Sequence, residues 1–236
     1  MRETRKTVLF IVEGSSDKTA LEKIFKKIYR RNRNIEFRFT SGDISTDPKT
    51  TIENVEKRIY TLVKAFLDDK KLKRTDLWGI VQLFDMDGAF IPESAIVRGP
   101  TYRFTYSTTN ISCTKPERVK ERNKKKSTII NYLLTKHDIE NISYEMFFMS
   151  CDLDHALYDQ QNLAENLKQQ YADKFYERFY GKEHLFPDFI KTDVVNGVPD
   201  DRLESWRYIK EKLHSLERHT NLHIYFLQHP IPDGLL

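Results

Sequence analysis

The chain has 236 residues, of which 39% are hydrophobic and 31% charged, and its formal net charge is +4. That length suits one α/β domain with additions, and the balance excludes a disordered chain. Two cysteines, Cys113 and Cys151, are too few for a Cys-rich zinc site or a disulfide framework, and no apolar run approaches the roughly 18 residues that span a bilayer. Residues 1–7 are charged and carry no signal-peptide core, so the expectation is a cytoplasmic protein with reduced thiols and no membrane association.

Taken in chain order, residues 8–12 (VLFIV) form a β-branched apolar run that reads as a central, parallel strand. Glu13-Gly14-Ser15-Ser16-Asp17 interrupts it, and Ala20, Leu21, Ile24, Phe25 and Ile28 then recur at helical spacing, with Ser15 or Ser16 as the expected N-cap. Residues 35–39 alternate as a second strand, and 41–49 read as a loop. Ile52, Val55, Ile59, Leu62, Val63 and Phe66 mark a long amphipathic helix, and 77–84 (LWGIVQLF) a buried strand that delivers Asp85-Met86-Asp87-Gly88. The order β-α-β-α-β predicts a mostly parallel, Rossmann-like sheet with right-handed crossovers.

Beyond it, 102–106 reads as a short strand, 118–134 as a helix and 144–149 (YEMFFM) as a core strand ending at Ser150-Cys151-Asp152-Leu153-Asp154-His155. A helix bearing Leu163, Leu167, Tyr171 and Phe175 follows, then a loop over 186–199, a helix over 203–216, a strand over 223–227 and an extended tail over 230–234. The chain divides into a catalytic core over 1–115 and an elaboration over 116–236 with a basic helix, further strands and C-terminal helices, expected to form one compact domain.

Three predicted strands end in acid: Glu13, then Asp85 and Asp87, then Asp152 and Asp154. In open parallel sheets, sites form beyond the carboxyl ends of the strands. Carboxylates that converge there cannot all stay ionised without a cation, and Mg²⁺ suits an all-oxygen set. Each motif also has a plainer reading: Glu-Gly as a simple turn, and Asp152-Leu153-Asp154 as the start of a helix. Asp-x-Asp-Gly is harder to explain by packing.

Residues 8–17 (VLFIVEGSSD) and 81–88 (VQLFDMDG) resemble the first and second motifs of the TOPRIM family, about seventy residues apart. The resemblance implies a TOPRIM-like sheet flanked by helices, with Glu13 as metal ligand or general acid/base and Asp85 and Asp87 as holders of Mg²⁺, or Mn²⁺ in its place. Asp152 and Asp154 are candidates for a second metal, and Gly14, Asp17, Gly88 and His155 for supporting positions. Among TOPRIM proteins the stand-alone nuclease branch fits best. Residues 147–158 are loosely similar to a late motif of RloB-like defence proteins. The OLD-like branch implies a catalytic lysine, for which Lys182 and Lys191 are the first choices. The expected activity is metal-dependent hydrolysis of RNA or DNA, as in an effector of phage defence. OLD-like relatives commonly act with ATPase partners, which leaves a second reading: a metal-binding sensing subunit docked on such a partner, since this chain has no Walker A pattern. Residues 83–92 (LFDMDGAFIP) also resemble the nucleophile loop of haloacid-dehalogenase-like phosphatases. Ala89 stands where that loop has Thr, the motif is not on the first strand, and no later strand presents Gly-Asp.

Residues 115–126 hold seven bases and two acids. Lys120, Arg122, Lys124, Lys125 and Lys126 are the expected nucleic-acid contacts, beside the aromatic loop of Tyr102, Phe104 and Tyr106. Lys23, Lys26, Lys27, Arg30, Arg31 and Arg33 read as a solvated face. His219 and His223 lie four apart, but the second enters the predicted last strand, which argues against joint ligation.

Overall fold

The computed structural model describes residues 6–30, 35–42 and 44–230, so Arg31, Arg33 and the tail from 231 lie outside it. The first half runs β1 (Lys6–Val12), α1 (Ser15–Ile28), β2 (Ile35–Ser41), α2 (Val55–Lys70) and β3 (Leu77–Asp85). Three short strands follow, β4 (Ile96–Arg98), β5 (Thr105–Tyr106) and β6 (Ile111–Cys113), and then α3 (Pro116–Leu133). The second half contains β7 (Asp138–Ile139), β8 (Ile142–Ser150), α4 (Leu153–Tyr158), α5 (Glu165–Phe179), α6 (Phe186–Phe189), α7 (Arg202–Lys210), β9 (His219–Thr220) and α8 (Leu222–Gln228).

The main sheet has the order β2-β1-β3-β8-β7, with β9 also on β8. Strands β2, β1, β3 and β8 are mutually parallel, while β7 and β9 pair antiparallel with the start and the end of β8. The fold is therefore α/β with a mixed, mostly parallel sheet flanked by helices. Residues 8–12 are buried without interruption because helices cover both faces of the sheet. Phe10, Phe25, Phe147, Phe186 and Tyr225 fill one face; Leu9, Ile59, Phe84, Phe148 and Trp206 fill the other, with Trp206 edge-on to Phe148 at 5.1 Å. At the amino end of β3, Trp78 is 58% exposed. No helix among the described residues is long and apolar enough to cross a membrane.

Several expected boundaries shift. Gly14, not Ser15 or Ser16, caps α1, and the Asp17 carboxylate accepts the Gly14 N–H at 2.7 Å. Residues 223–227 are helical in α8 rather than a strand; the strand is the two-residue β9 just before, and a five-residue apolar run cannot distinguish the two by periodicity. The segment expected as loop over 186–199 holds α6 and a π-helical turn at Ile190–Val194, anchored by buried Phe186, Phe189 and Ile190. The 203–216 helix stops at Lys210 and resumes as a 3₁₀ turn at His214–Leu216. The small sheet β4-β6-β5 has no counterpart in the expected elements beyond the strand at 102–106, of which Thr105–Tyr106 is paired.

The turn after β3 places Asp87 at φ 50 and Gly88 at φ 66, two consecutive left-handed residues. A Cβ at Gly88 would stand 2.7 Å from Leu216 Cδ2 and 2.8 Å from Ile111 Cδ1. Gly181 is also left-handed, but no described residue comes within 4 Å of its would-be Cβ. Gly88→Ala should therefore lower stability in urea unfolding by about 1–3 kcal/mol, clearly more than Gly181→Ala, which carries the backbone strain alone.

Candidate active site

Because β1, β3 and β8 are parallel neighbours, their carboxyl ends share one edge of the sheet. Ile11 pairs with Gln82 and Asp85 with Met149, which brings the residues after Val12, Asp85 and Ser150 together. The turn carrying the second motif is fastened on all sides. Met86 N–H donates to Met149 O at 2.8 Å, Asp87 N–H to Cys151 O at 2.6 Å and Gly88 N–H to Ser215 O at 3.0 Å. From α3, Arg122 donates to the Asp87 carbonyl and Asn123 to the Gly88 carbonyl, both at 2.8 Å. With its backbone polar groups so engaged, the turn has little freedom to re-aim Asp87.

The centre of the site is Lys126. Its side chain is fully buried, and its Nζ donates to Asp87 Oδ2 at 2.5 Å and to Glu13 Oε1 at 3.3 Å. Ser45 Oγ also donates to Glu13 Oε1, at 3.2 Å. Burial by itself pulls the ammonium down, but Asp87 and Glu13 outweigh it and the net shift is upward. For Asp87, burial raises the carboxyl, yet Lys126 and then Arg122 reverse this and hold it below its usual range. Tyr106 completes the surroundings: its hydroxyl accepts from Arg122 at 2.7 Å and lies 3.4 Å from Asp87 Oδ1.

The other acids have less cationic company. Asp85 is pushed well above its ordinary value, by burial first and then by Glu13, Asp17 and Asp152; its Oδ1 accepts the Leu153 N–H at 3.0 Å. Asp152 caps α4 by accepting the His155 N–H at 2.8 Å, and burial, partly countered by that bond, raises it to about 7. Asp154 pairs through Oδ2 with Lys168 at 3.3 Å, while its buried Oδ1 has no hydrogen-bond partner among the described residues. Asp87, Asp152, Asp154 and Lys168 line a cleft of about 360 Å³ whose other wall carries Phe104 and Tyr106. Thus Asp152 begins a helix, as its plainer reading had it, and also faces the cleft.

The expected basic face splits, because successive helical residues point about 100° apart. Lys124 is exposed, Lys120 pairs with Glu93 and Glu117, Lys125 donates to the Asp47 carbonyl, and Arg122 and Lys126 point inward. Lys126 is therefore no surface contact for a phosphate backbone, and Arg122 is only marginally so, at 14% side-chain exposure. Of the two lysines expected for catalysis, Lys182 is exposed and Lys191 pairs with Asp200; among the described residues, Lys126 and Lys168 are lysines that pair with the carboxylates of the site. Lys126 had a legible signal: Val119, Asn123, Lys126, Ile130 and Leu133 follow the apolar stripe of a helix, and all are buried. Arg118 and Arg122 interleave with the aromatic loop. Arg118 lies 3.9 Å from the Tyr102 ring and 5.0 Å from Phe104, and Arg122 lies 5.0 Å from Phe104 and 5.7 Å from Tyr106.

Among the described residues, no three His, Cys, Asp or Glu side chains stand as a ready metal cage. The donor chemistry nonetheless suits a hard cation, since Glu13 and Asp87 already converge on the Lys126 ammonium. His223 lies in α8 beside Asp200, with 3.1 Å between Nε2 and Oδ1, whereas His219 Nε2 meets Glu217 at 3.0 Å, so the two histidines serve different carboxylates.

His155 is 5% exposed and its Nδ1 accepts the Cys151 N–H at 3.1 Å, a bond only the unprotonated nitrogen can make. Burial lowers its pKa from 6.5 to about 4. The folded state therefore binds fewer protons than the unfolded chain between those values, and stability falls as pH drops from 6.5 through 4. In His155→Asn, whose amide oxygen can accept the same bond, the loss of melting temperature over that window should be smaller by roughly 5 °C. Compared with known proteins, the chain matches no family model, no curated protein sequence and no solved structure.

Proposed function

We propose that the chain is a Mg²⁺-dependent nuclease of the TOPRIM kind that hydrolyses phosphodiester bonds of RNA or DNA, with Glu13, Asp85 and Asp87 as its catalytic carboxylates. One observation carries this reading: Glu13 and Asp87, from different strands, each commit an oxygen to one buried cationic point at the carboxyl edge of a parallel sheet. The two strands that carry the resembling motifs, β1 and β3, are parallel neighbours.

Glu13, Asp85 and Asp87 would hold the first ion, and Asp152 and Asp154, which line a cleft together with Asp87, a second. When bound, such an ion supplies Lewis acidity toward a phosphoryl oxygen and a more acidic water. The chain's own residues do the rest. The fastened turn fixes Asp87, Arg122 and Lys168 offset the negative charge gathered at the edge, and Asp154 Oδ1, which has no hydrogen-bond partner among the described residues, is an acceptor for an incoming donor or cation.

Access for a strand is provided by the interleaved series Tyr102, Arg118, Phe104, Arg122 and Tyr106, which leads from a 60% exposed ring to the hydroxyl beside Asp87. Rings and guanidinium groups in alternation suit unpaired bases and phosphates, whereas a duplex hides its base faces.

Incubation with Mg²⁺ and a panel of plasmid, single-stranded DNA and transfer RNA should reveal cleavage of at least one substrate. Glu13→Gln and Asp85→Asn should each reduce that cleavage at least a hundredfold while leaving the circular-dichroism spectrum unchanged; wild-type rates in both would overturn the reading. Tyr102→Ala and Arg118→Ala should weaken binding of a single-stranded oligonucleotide about tenfold, and the arginine variant should also flatten its salt dependence.

A further inference from the structure

Resting on the nuclease reading, we infer that Lys126 is the resident counter-ion of the carboxylate site, and that its ammonium and the divalent ion occupy the position between Glu13 and Asp87 in turn. The ammonium is fully buried and bonded to one oxygen of each acid. A divalent ion on the same two oxygens would stand within a few ångströms of the ammonium. At that separation two cations repel strongly in a water-poor site. The two states therefore exclude one another.

The surroundings favour movement of the side chain over movement of the helix. Asn123 and Arg122 tie α3 to the carbonyls of Gly88 and Asp87, and Lys125 ties it to the Asp47 carbonyl. A lysine stem has four rotatable carbons and ends in a point charge, so it can swing out from a fixed backbone, where a planar guanidinium would need a second matched partner. Beside Asp87 lies the cleft that Asp152 and Asp154 also line. A displaced ammonium would reach the place where a substrate phosphate enters. Metal and nucleic acid would then bind with positive coupling, since the phosphate gives Lys126 a new partner.

The test is Mn²⁺ binding, read from the electron paramagnetic resonance signal of the free ion, for the wild type and Lys126→Met. The variant should bind Mn²⁺ at least tenfold more tightly without nucleic acid. A phosphorothioate single strand should tighten Mn²⁺ binding by the wild type and leave the variant unchanged. Equal or weaker binding by the variant would overturn this inference alone, whereas absence of Mn²⁺ binding by both would overturn the nuclease reading with it. Should the variant fail to fold, amine acetylation of the wild type followed by mass spectrometry decides the matter. Lys126 labelling should rise severalfold at saturating Mn²⁺ while Lys124 stays constant, and an unchanged Lys126 would overturn the inference.

Discussion

A buried ammonium joins three distant parts of the chain: the end of β1 through Glu13, the turn after β3 through Asp87, and the middle of α3 through Lys126 itself. Such a centre is held by mutual need. Bringing each charge out of water is unfavourable by several kcal/mol, and removing one partner of a buried pair typically destabilises by about 3–5 kcal/mol because the other is left uncompensated. The order of the strands follows the same logic. With β1 and β3 adjacent and parallel, both acids reach the same edge, and the α3 crossover to β8 lays its polar positions across them.

The charge balance at that edge is uneven. Asp87 takes the direct bond from Lys126 and stands near Arg122, and so stays ionised more readily than an ordinary aspartate. Asp85, two residues earlier, is buried, has a backbone N–H as a partner and stands among Glu13, Asp17, Asp152 and Asp87, and so holds its proton more tightly. Two aspartates of one Asp-x-Asp motif thus differ because of the helix packed over one of them. In the second acid pair burial raises both carboxyls: Lys168 reaches Asp154 without reversing the effect, and Asp152 caps the start of α4. Divergent proton affinities among neighbouring carboxyl groups are a common mark of catalytic sites.

Much of this was legible in the residues. Continuous apolar runs identified β1, β3 and β8, and their acidic ends marked the edge at which Glu13, Asp85, Asp87, Asp152 and Asp154 gather. What escaped was chiefly the work of tertiary packing. The run Lys124-Lys125-Lys126 reads as one basic patch by composition, yet the helical period sends its members to solvent, to the Asp47 carbonyl and to the core. The segment 222–228 is equally apolar as strand or helix, and its packing against β8 and Phe25 selects the helix. The small sheet over 96–113 rests on two- and three-residue strands, too short for any period to register.

The chain has only two tryptophans, and the fold gives them opposite surroundings. Trp206 is shielded against Phe148 on the α7 side of the sheet, while Trp78 faces solvent at the far end from the carboxylates. A shielded indole emits towards the blue and shifts to the red when the core around it opens, whereas a solvated indole already emits in the red and hardly moves. Replacing Trp78 with Phe would therefore leave a single tryptophan, on α7 and packed against Phe148 of β8, the strand that leads to Asp152. The indole could then distinguish loss of the whole fold from events confined to the acidic edge.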